Sequence, residues 1–288
     1  MKTSTISHIA HALPAKVLSY EELAARFGER EVASIAKMSG IRNRRVVAPG
    51  QCASDLAIAA AKRLFDHAKI DPATLDAIVF CSQTPDYRIP ATAAHLQAVL
   101  GLPEKCCAFD INQACPSFIY GMNVAHSMVV AGTAGRVLLI NADALTTLVN
   151  PRDRGLATLH GDGAAATIVH AIDSEKGGVE FFEFGNSGSD YDRLIVPAGA
   201  SKLKSSAETA VEKADESGSW RSQNDIFMDG AAIFHFAVHK VKGFLQDVLK
   251  KRNLLAADYD MVLFHQANKT LVDLLYKGIQ VPPEKRFY

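Results

Sequence analysis

The chain lacks an excess of charge of either sign: 31 Lys and Arg stand against 31 Asp and Glu. That balance argues against a dominant nucleic-acid surface. No early stretch has the apolar length of a signal peptide or a membrane span. Cysteine is scarce, with five in 288 residues. None forms a Cys-x-x-Cys pair, and an odd number fits poorly with a disulfide framework, so a reducing cytoplasm is the simplest home. Leaving His160 and His265 aside, the histidines show no metal-ligand grouping with cysteine or carboxylate, and no metal is expected. Gly132-x-x-Gly135 lacks the dinucleotide pattern and sits at a helix end, which excludes a Rossmann reading. What is present is an ordinary globular composition, 48% hydrophobic and 22% charged. It suits one large domain or two fused ones.

The apolar pattern alternates helix and strand. Alanines and leucines at helical spacing predict a helix over 53–67, with Ser54 as a candidate N-cap. Leu75–Cys81 is a short β-rich run, read as a buried strand. The pattern continues as helix 91–100, strand 106–111, helix 116–131 and strand 136–141. Two further strands, 163–170 and 178–184, join through Lys176-Gly177-Gly178. Residues 198–224 are polar and aperiodic, and read as a long mobile surface loop. A long amphipathic helix over 227–251, a strand over 259–265 and a helix over 268–277 complete the pass. Such alternation predicts an α/β fold. Cys52, Cys81, Cys106 and Cys107 lie in apolar or alanine-rich surroundings and read as core.

The chain also repeats itself. Leu75–Gln83, a helix and Leu102-Pro103-Glu104-Lys105 are echoed by Tyr259–Gln266, a helix and Pro282-Pro283-Glu284-Lys285. Two structural copies are the natural reading, with halves at 1–172 and 173–288. In this register the second copy stops early, and roughly 60 residues or fewer would be absent. A chain of that kind is expected to expose a large apolar face and an open sheet edge, or to borrow cover from a partner.

Two segments carry chemistry. Ala114-Cys115-Pro116-Ser117 opens a helix, and a thiol there feels unpaired backbone N–H groups and the positive end of the helix dipole. Both favour thiolate, the nucleophile toward thioesters. The same N–H groups suit the oxyanion of a tetrahedral intermediate. A buried structural cysteine is the alternative. His265-Gln266-Ala267-Asn268 closes the strand 259–265. His265 has no acidic neighbour in sequence and reads as neutral near pH 7, a hydrogen-bond donor suited to an enolate. Asn268 is either a second donor or an N-cap. His160-Gly161-Asp162-Gly163-Ala164 is read as a tight structural turn, with His160 itself ambiguous.

Together these residues resemble the β-ketoacyl-acyl-carrier-protein synthase III family of thiolase-fold condensing enzymes. The resemblance runs over nearly the whole chain. It takes in Gly40-Ile41-Arg42, the segment Asp110–Gly121, Asp153-Arg154-Gly155, Gly161-Asp162-Gly163-Ala164, Met228-Asp229-Gly230 and His265-Gln266-Ala267-Asn268. It implies an α/β, αβαβα layered thiolase-like fold of two duplicated halves, the second incomplete here, and a homodimer. It implies that Cys115 takes an acyl group from a coenzyme A or acyl-carrier-protein thioester. Malonyl-carrier protein then decarboxylates and condenses, with His265 assisting and no cofactor. Asn268, Arg154, Ile89, His160 and Gly230 would lie along the substrate path. Ile89 would sit near the tip of a loop, 82–91, that reaches a partner's pocket.

Three departures accompany the resemblance. The family's second catalytic Asn and its glycine-rich C-terminal strand are absent, so the chain as written is not expected to condense efficiently. Ser34 and Met38 stand where members using coenzyme A often place Trp and Arg, which favours a carrier-protein donor, while Arg154 remains as a nucleotide contact. His160 stands where an aromatic residue is frequent. Two other functions stay open: a non-catalytic partner subunit of a heteromeric ketosynthase, and a cysteine acyltransferase without decarboxylation. Carbon dioxide release separates the last from the first.

Overall fold

The structure is a computed structural model that describes residues 2–288, apart from the Lys176 side chain. Along the chain run β1 (Lys2–Ala12), β2 (Val17–Leu18), α1 (Tyr20–Phe27), α2 (Glu29–Ser39), β3 (Arg44–Arg45) and α3 (Ala53–Ala68). Then come β4 (Ala77–Cys81), α4 (Thr92–Val99), β5 (Cys107–Ile111), α5 (Ser117–Val130), β6 (Arg136–Asp143), α6 (Arg154–Ala157) and β7 (Gly163–Asp173). The remainder holds β8 (Leu194–Ile195), β9 (Lys213–Ala214), β10 (Trp220–Arg221), β11 (Phe227–Met228), α7 (Gly230–Phe236), α8 (Lys242–Arg252) and α9 (Lys269–Gly278). The chain divides into two compact units. Unit 1 takes the stretch ending at Val17, with Arg44–Thr146 and Gly161–Phe182; unit 2 takes Leu18–Asn43, Thr147–His160 and Glu183–Tyr288. The units follow spatial contacts, so they interleave along the chain, whereas the cut at 172 follows the sequence repeat.

Unit 1 is built on a sheet of order β1-β7-β6-β4-β5. β4 pairs in parallel with β5 and β6, and β6 and β1 both run antiparallel to β7. Every residue of β4 is buried, as expected for a central strand covered on both faces. Period two sorts its side chains. Ile78 and Phe80, with Leu138 and Ile140 of β6, pack against Leu56, Ala60 and Leu64 of α3. Val79 and Cys81, with Val137 and Leu139, pack against Met122, Ala125 and Val129 of α5. Gly121 lets α5 lie this close: a Cβ there would stand 2.5 Å from Leu139 Cδ1 and 2.9 Å from Cys81 Sγ.

Unit 2 carries smaller cores. Val272, Tyr276 and Val281 pack with Val262 and Phe264, and Leu271 and Leu275 pack with Ala237, Val241 and Leu245.

Several expectations need correction. The 259–265 strand forms only one parallel bridge, Val262 to Arg286, with Val262 N donating to Lys285 O at 2.9 Å. β4 is bonded along its whole length to β5 and β6; this segment meets its neighbour at a single bridge, so no ladder forms. Residues 179–184 likewise form no ladder; Val179 N donates to Ser4 O at 2.8 Å, its carbonyl accepts from Thr3 Oγ1, and Glu183 pairs with Arg252 at 2.8 Å. Beside that tie Gly178 has φ +117°, and a Cβ would meet Ser4 O at 2.7 Å.

The long helix expected over 227–251 begins at Gly230, because Asp229 caps it through Ala232 N and Phe227–Met228 pairs with β8 instead. A π-helical turn at Ala237–Val241 joins α7 to α8. α3 is capped at Cys52, not Ser54: Asp55 accepts from Cys52 N at 2.8 Å, and Ser54 is buried in the first turn. Cys81 and Cys106 are buried as read, but Cys52 and Cys107 are exposed, one at a helix cap and the other on an edge strand.

The stretch 198–224 is not a loose loop. β9 and β10 form a hairpin gripped by three successive residues: Arg152 stacks 3.9 Å over the Trp220 ring, Asp153 bonds Arg221 at 2.9 Å, and Arg154 donates to Ser217 O at 3.2 Å. The polarity that reads as solvation is spent on internal partners. The expected apolar exposure is present: Ile119 of α5 is 46% exposed and Leu263 65%.

Candidate active site

The C-terminal ends of β4 and β6 in unit 1 carry polar residues, among them Asp143, which acts electrostatically on the Cys115 thiol. Odd positions of β6 face α5, and along that face Val137 and Leu139 give way to Asn141 and Asp143. Asp143 Oδ1 accepts from Ser82 Oγ, Gln83 N, Thr84 N and Thr84 Oγ1 at 2.7–3.2 Å, which anchors the base of the 82–91 loop. Burial raises the Asp143 carboxyl, and these bonds oppose the rise. Ile89, farther along the loop, is 87% exposed. Asn141 Nδ2 lies 3.1 Å from Ser117 Oγ at the start of α5. The sequence reading missed Asn141 and Asp143, and gave Ser117 no role of its own. The usable signal was the change from apolar to polar on one strand face, since ligands of open α/β sheets gather beyond the carboxyl ends of strands.

Cys115 sits in a tight turn closed by Ser117 N donating to Ala114 O at 3.0 Å. Ala114 has φ +52°, in the left-handed region, and Pro116 caps α5. The residue is exposed, yet the protein packed around its sulfur pushes the thiol up; its own backbone N–H pulls it down, and Asp143 adds to the rise. The expectation of a thiolate favoured by the helix start is therefore corrected: desolvation outweighs that backbone hydrogen bond.

Unit 2 holds the other residues singled out. Asn268 caps α9, its Oδ1 accepting from Leu271 N at 2.8 Å, so the cap reading is realised and the amide NH2 is the end left to donate. Three positions earlier, His265 is exposed by surface area, yet the protein packed around its ring lowers it and favours the neutral imidazole. Arg154 pairs with Glu31 at 3.4 Å as well as with Ser217 O. Ser34 and Met38 are exposed on α2. Gly230 opens α7, with open space where a Cβ would stand. His160 is half-buried, its N–H donating to Leu156 O at 3.0 Å.

The 161–164 turn in unit 1 is structural, as read. Asp162 is buried and accepts from Val47 N at 2.8 Å and Thr146 N at 2.9 Å, while its own N–H donates to Arg45 O. Among the described residues, no helix is long and apolar enough to cross a membrane.

Comparison with known proteins shows what the chain is similar to. The profile of the 3-oxoacyl-[acyl-carrier-protein (ACP)] synthase III family matches residues 109–188, the stretch that holds Cys115. A β-ketoacyl-[acyl-carrier-protein] synthase III from Caldanaerobacter subterraneus subsp. tengcongensis is 35% identical over 273 residues, which is 95% of this chain and 79% of that protein. A crystal structure of a 3-oxoacyl-(acyl-carrier-protein) synthase III matches with a TM-score of 0.91 at 33% identity, covering 99% of this chain and 85% of that one. The priming β-ketosynthase of the R1128 polyketide pathway matches with a TM-score of 0.81 at 27% identity, over 98% of this chain and 80% of that one.

Proposed function

Because this chain belongs to the 3-oxoacyl-[acyl-carrier-protein] synthase III family, and so has the thiolase fold of a ketosynthase-type acyltransferase, we propose roles for its residues in that chemistry. Cys115 Sγ, once deprotonated, attacks the carbonyl of a donor thioester. The new C–S bond forms as the donor thiolate leaves. Malonyl-carrier protein then loses carbon dioxide, and its enolate attacks the acyl-enzyme, forming the C–C bond and releasing Cys115. His265 donates a hydrogen bond to the thioester oxygen as the enolate forms, a task that requires the neutral imidazole that desolvation of its ring favours. Thioesters serve as substrates, and the protein brings no cofactor of its own.

The observation that carries this reading is the Cys115 turn. An exposed thiol stands at the start of an apolar helix with its own backbone N–H beside the sulfur. The donor is a carrier protein in preference to coenzyme A: Ser34 and Met38 offer no aromatic or cationic shelf, and Arg154 is engaged by Glu31 and Ser217. The product feeds fatty-acid or polyketide assembly in a reducing cytoplasm, a setting supported by five free cysteines. A homodimer is supported by the sheet. The β1 edge is tied near Ser4 by Val179, while β5 presents a bare edge with Cys107 exposed.

Intact mass after exposure to acyl-carrier-protein and acyl-coenzyme A thioesters tests the first step. An adduct is expected with the wild-type chain and none with Cys115→Ala; an adduct that survives Cys115→Ala removes Cys115 from its role. Carbon dioxide release from malonyl-carrier protein tests the second. His265→Ala is expected to acylate normally and to lose that release. Acylation without any release from the wild-type chain would instead identify a plain acyltransferase.

A further inference from the structure

The turn that carries Cys115 is built in an unfavourable way. Ala114 is left-handed without being glycine, so the turn persists only if its surroundings hold it. Its own hydrogen bond, Ser117 N to Ala114 O, closes it but anchors it to nothing outside. The outside anchor is Asn141. Its Nδ2 meets Ser117 Oγ at 3.1 Å, and it stands on β6, a strand paired with β4 on one side and β7 on the other. Its Oδ1 is buried with no hydrogen-bond partner among the described residues. A half-satisfied amide beside an apolar helix costs stability, and leucine or valine continues the same strand face at 137 and 139. The residue is out of place for packing and in place for holding the turn.

We infer that Asn141 is a positioning residue for the nucleophile: through Ser117 it holds the 114–117 turn in the shape that keeps the Cys115 sulfur beside its own backbone N–H. The inference rests on reading Cys115 as the nucleophile. That N–H is the contact that pulls the thiol down against burial and Asp143, so a slack turn raises the thiol further.

The test is the rate of iodoacetamide alkylation across pH, read cysteine by cysteine by peptide mass spectrometry on the full chain. Exposed Cys52 and Cys107 serve as internal references, and buried Cys81 and Cys106 report unfolding. Asn141→Ala is expected to slow Cys115 roughly tenfold, the order of one side-chain hydrogen bond, and to move its pH midpoint upward. The other four cysteines should keep their wild-type behaviour. Ser117→Ala should do the same, and the double variant should be no slower than the slower single. A wild-type rate and midpoint in either single variant, or two effects that multiply, overturns the inference. If Asn141→Ala exposes Cys81 or Cys106, Ser117→Ala decides alone: slowed Cys115 upholds it, unchanged Cys115 overturns it. Alkylation needs no acyl donor, so loss of the ketosynthase reading shows separately, as missing acyl adducts or missing carbon dioxide.

Discussion

Cys115 and His265 are driven in opposite directions by one cause. Burial disfavours charge, so it raises the thiol and lowers the imidazole, and both side chains are held neutral. The pH dependences follow. Cys115 alkylation should keep climbing past about pH 8.5, the range of a free thiol. His265 needs its neutral form to assist, and a lowered pKa moves the loss of that form to more acid conditions. Carbon dioxide release at saturating malonyl-carrier protein should therefore hold as pH falls through about 6.5, the ordinary histidine value, and decline only below it. Half-loss above that value would contradict a neutral donor. Cys115 and His265 were legible because their segments are distinctive. The direction of the thiol shift was not, since sequence shows a helix start but not how much protein crowds the sulfur. Asn141 was hidden for a related reason: it closes the expected strand 136–141, and its partner Ser117 stands on a helix that only the fold brings to it.

Among the elements, α5 and the strands beneath it form the tightest fit. Gly121→Ala places a methyl 2.5 Å from Leu139 Cδ1, and the helix must lift. The expected cost is about 1–3 kcal/mol of stability, seen as a lower melting temperature, with slower acylation because α5 carries the Cys115 turn. An unchanged melting temperature would mean that Leu139 moves aside freely. The elements of unit 1 were readable because period two and period 3.6 are clean there: β4, α5 and β6 fall within two residues of their expected ends at every boundary. The failures share a cause. Segments 179–184 and 259–265 have the right residues but pair at single points, and a strand is a property of the pair. The 198–224 hairpin was missed because its polar side chains find each other across distance. Asn150 Nδ2, for example, bonds both Glu212 and Asp225.

For the whole molecule, the bare β5 edge sets the expected assembly. Cys107 N and Ile111 O face β4, so the intervening Ala108 and Asp110 turn their backbone groups to the free edge. Ala108→Pro removes an edge donor without removing a ladder bond to β4. Sedimentation at micromolar concentration should show dimers for the wild-type chain and monomers for this variant. A wild-type monomer, or a variant that stays dimeric, would place the interface elsewhere. The family resemblance made the fold legible before any coordinates, whereas the interleaving of the two units was not, because segments 18–43 and 147–160 join unit 2 only through contacts in space. The hairpin grip on 152–154 has one more consequence. The chain contains a single tryptophan, Trp220, and it is the ring beneath Arg152. Its ultraviolet emission thus comes from that one place: a built-in optical gauge of whether the hairpin is seated, silent about the sheet and the thiol.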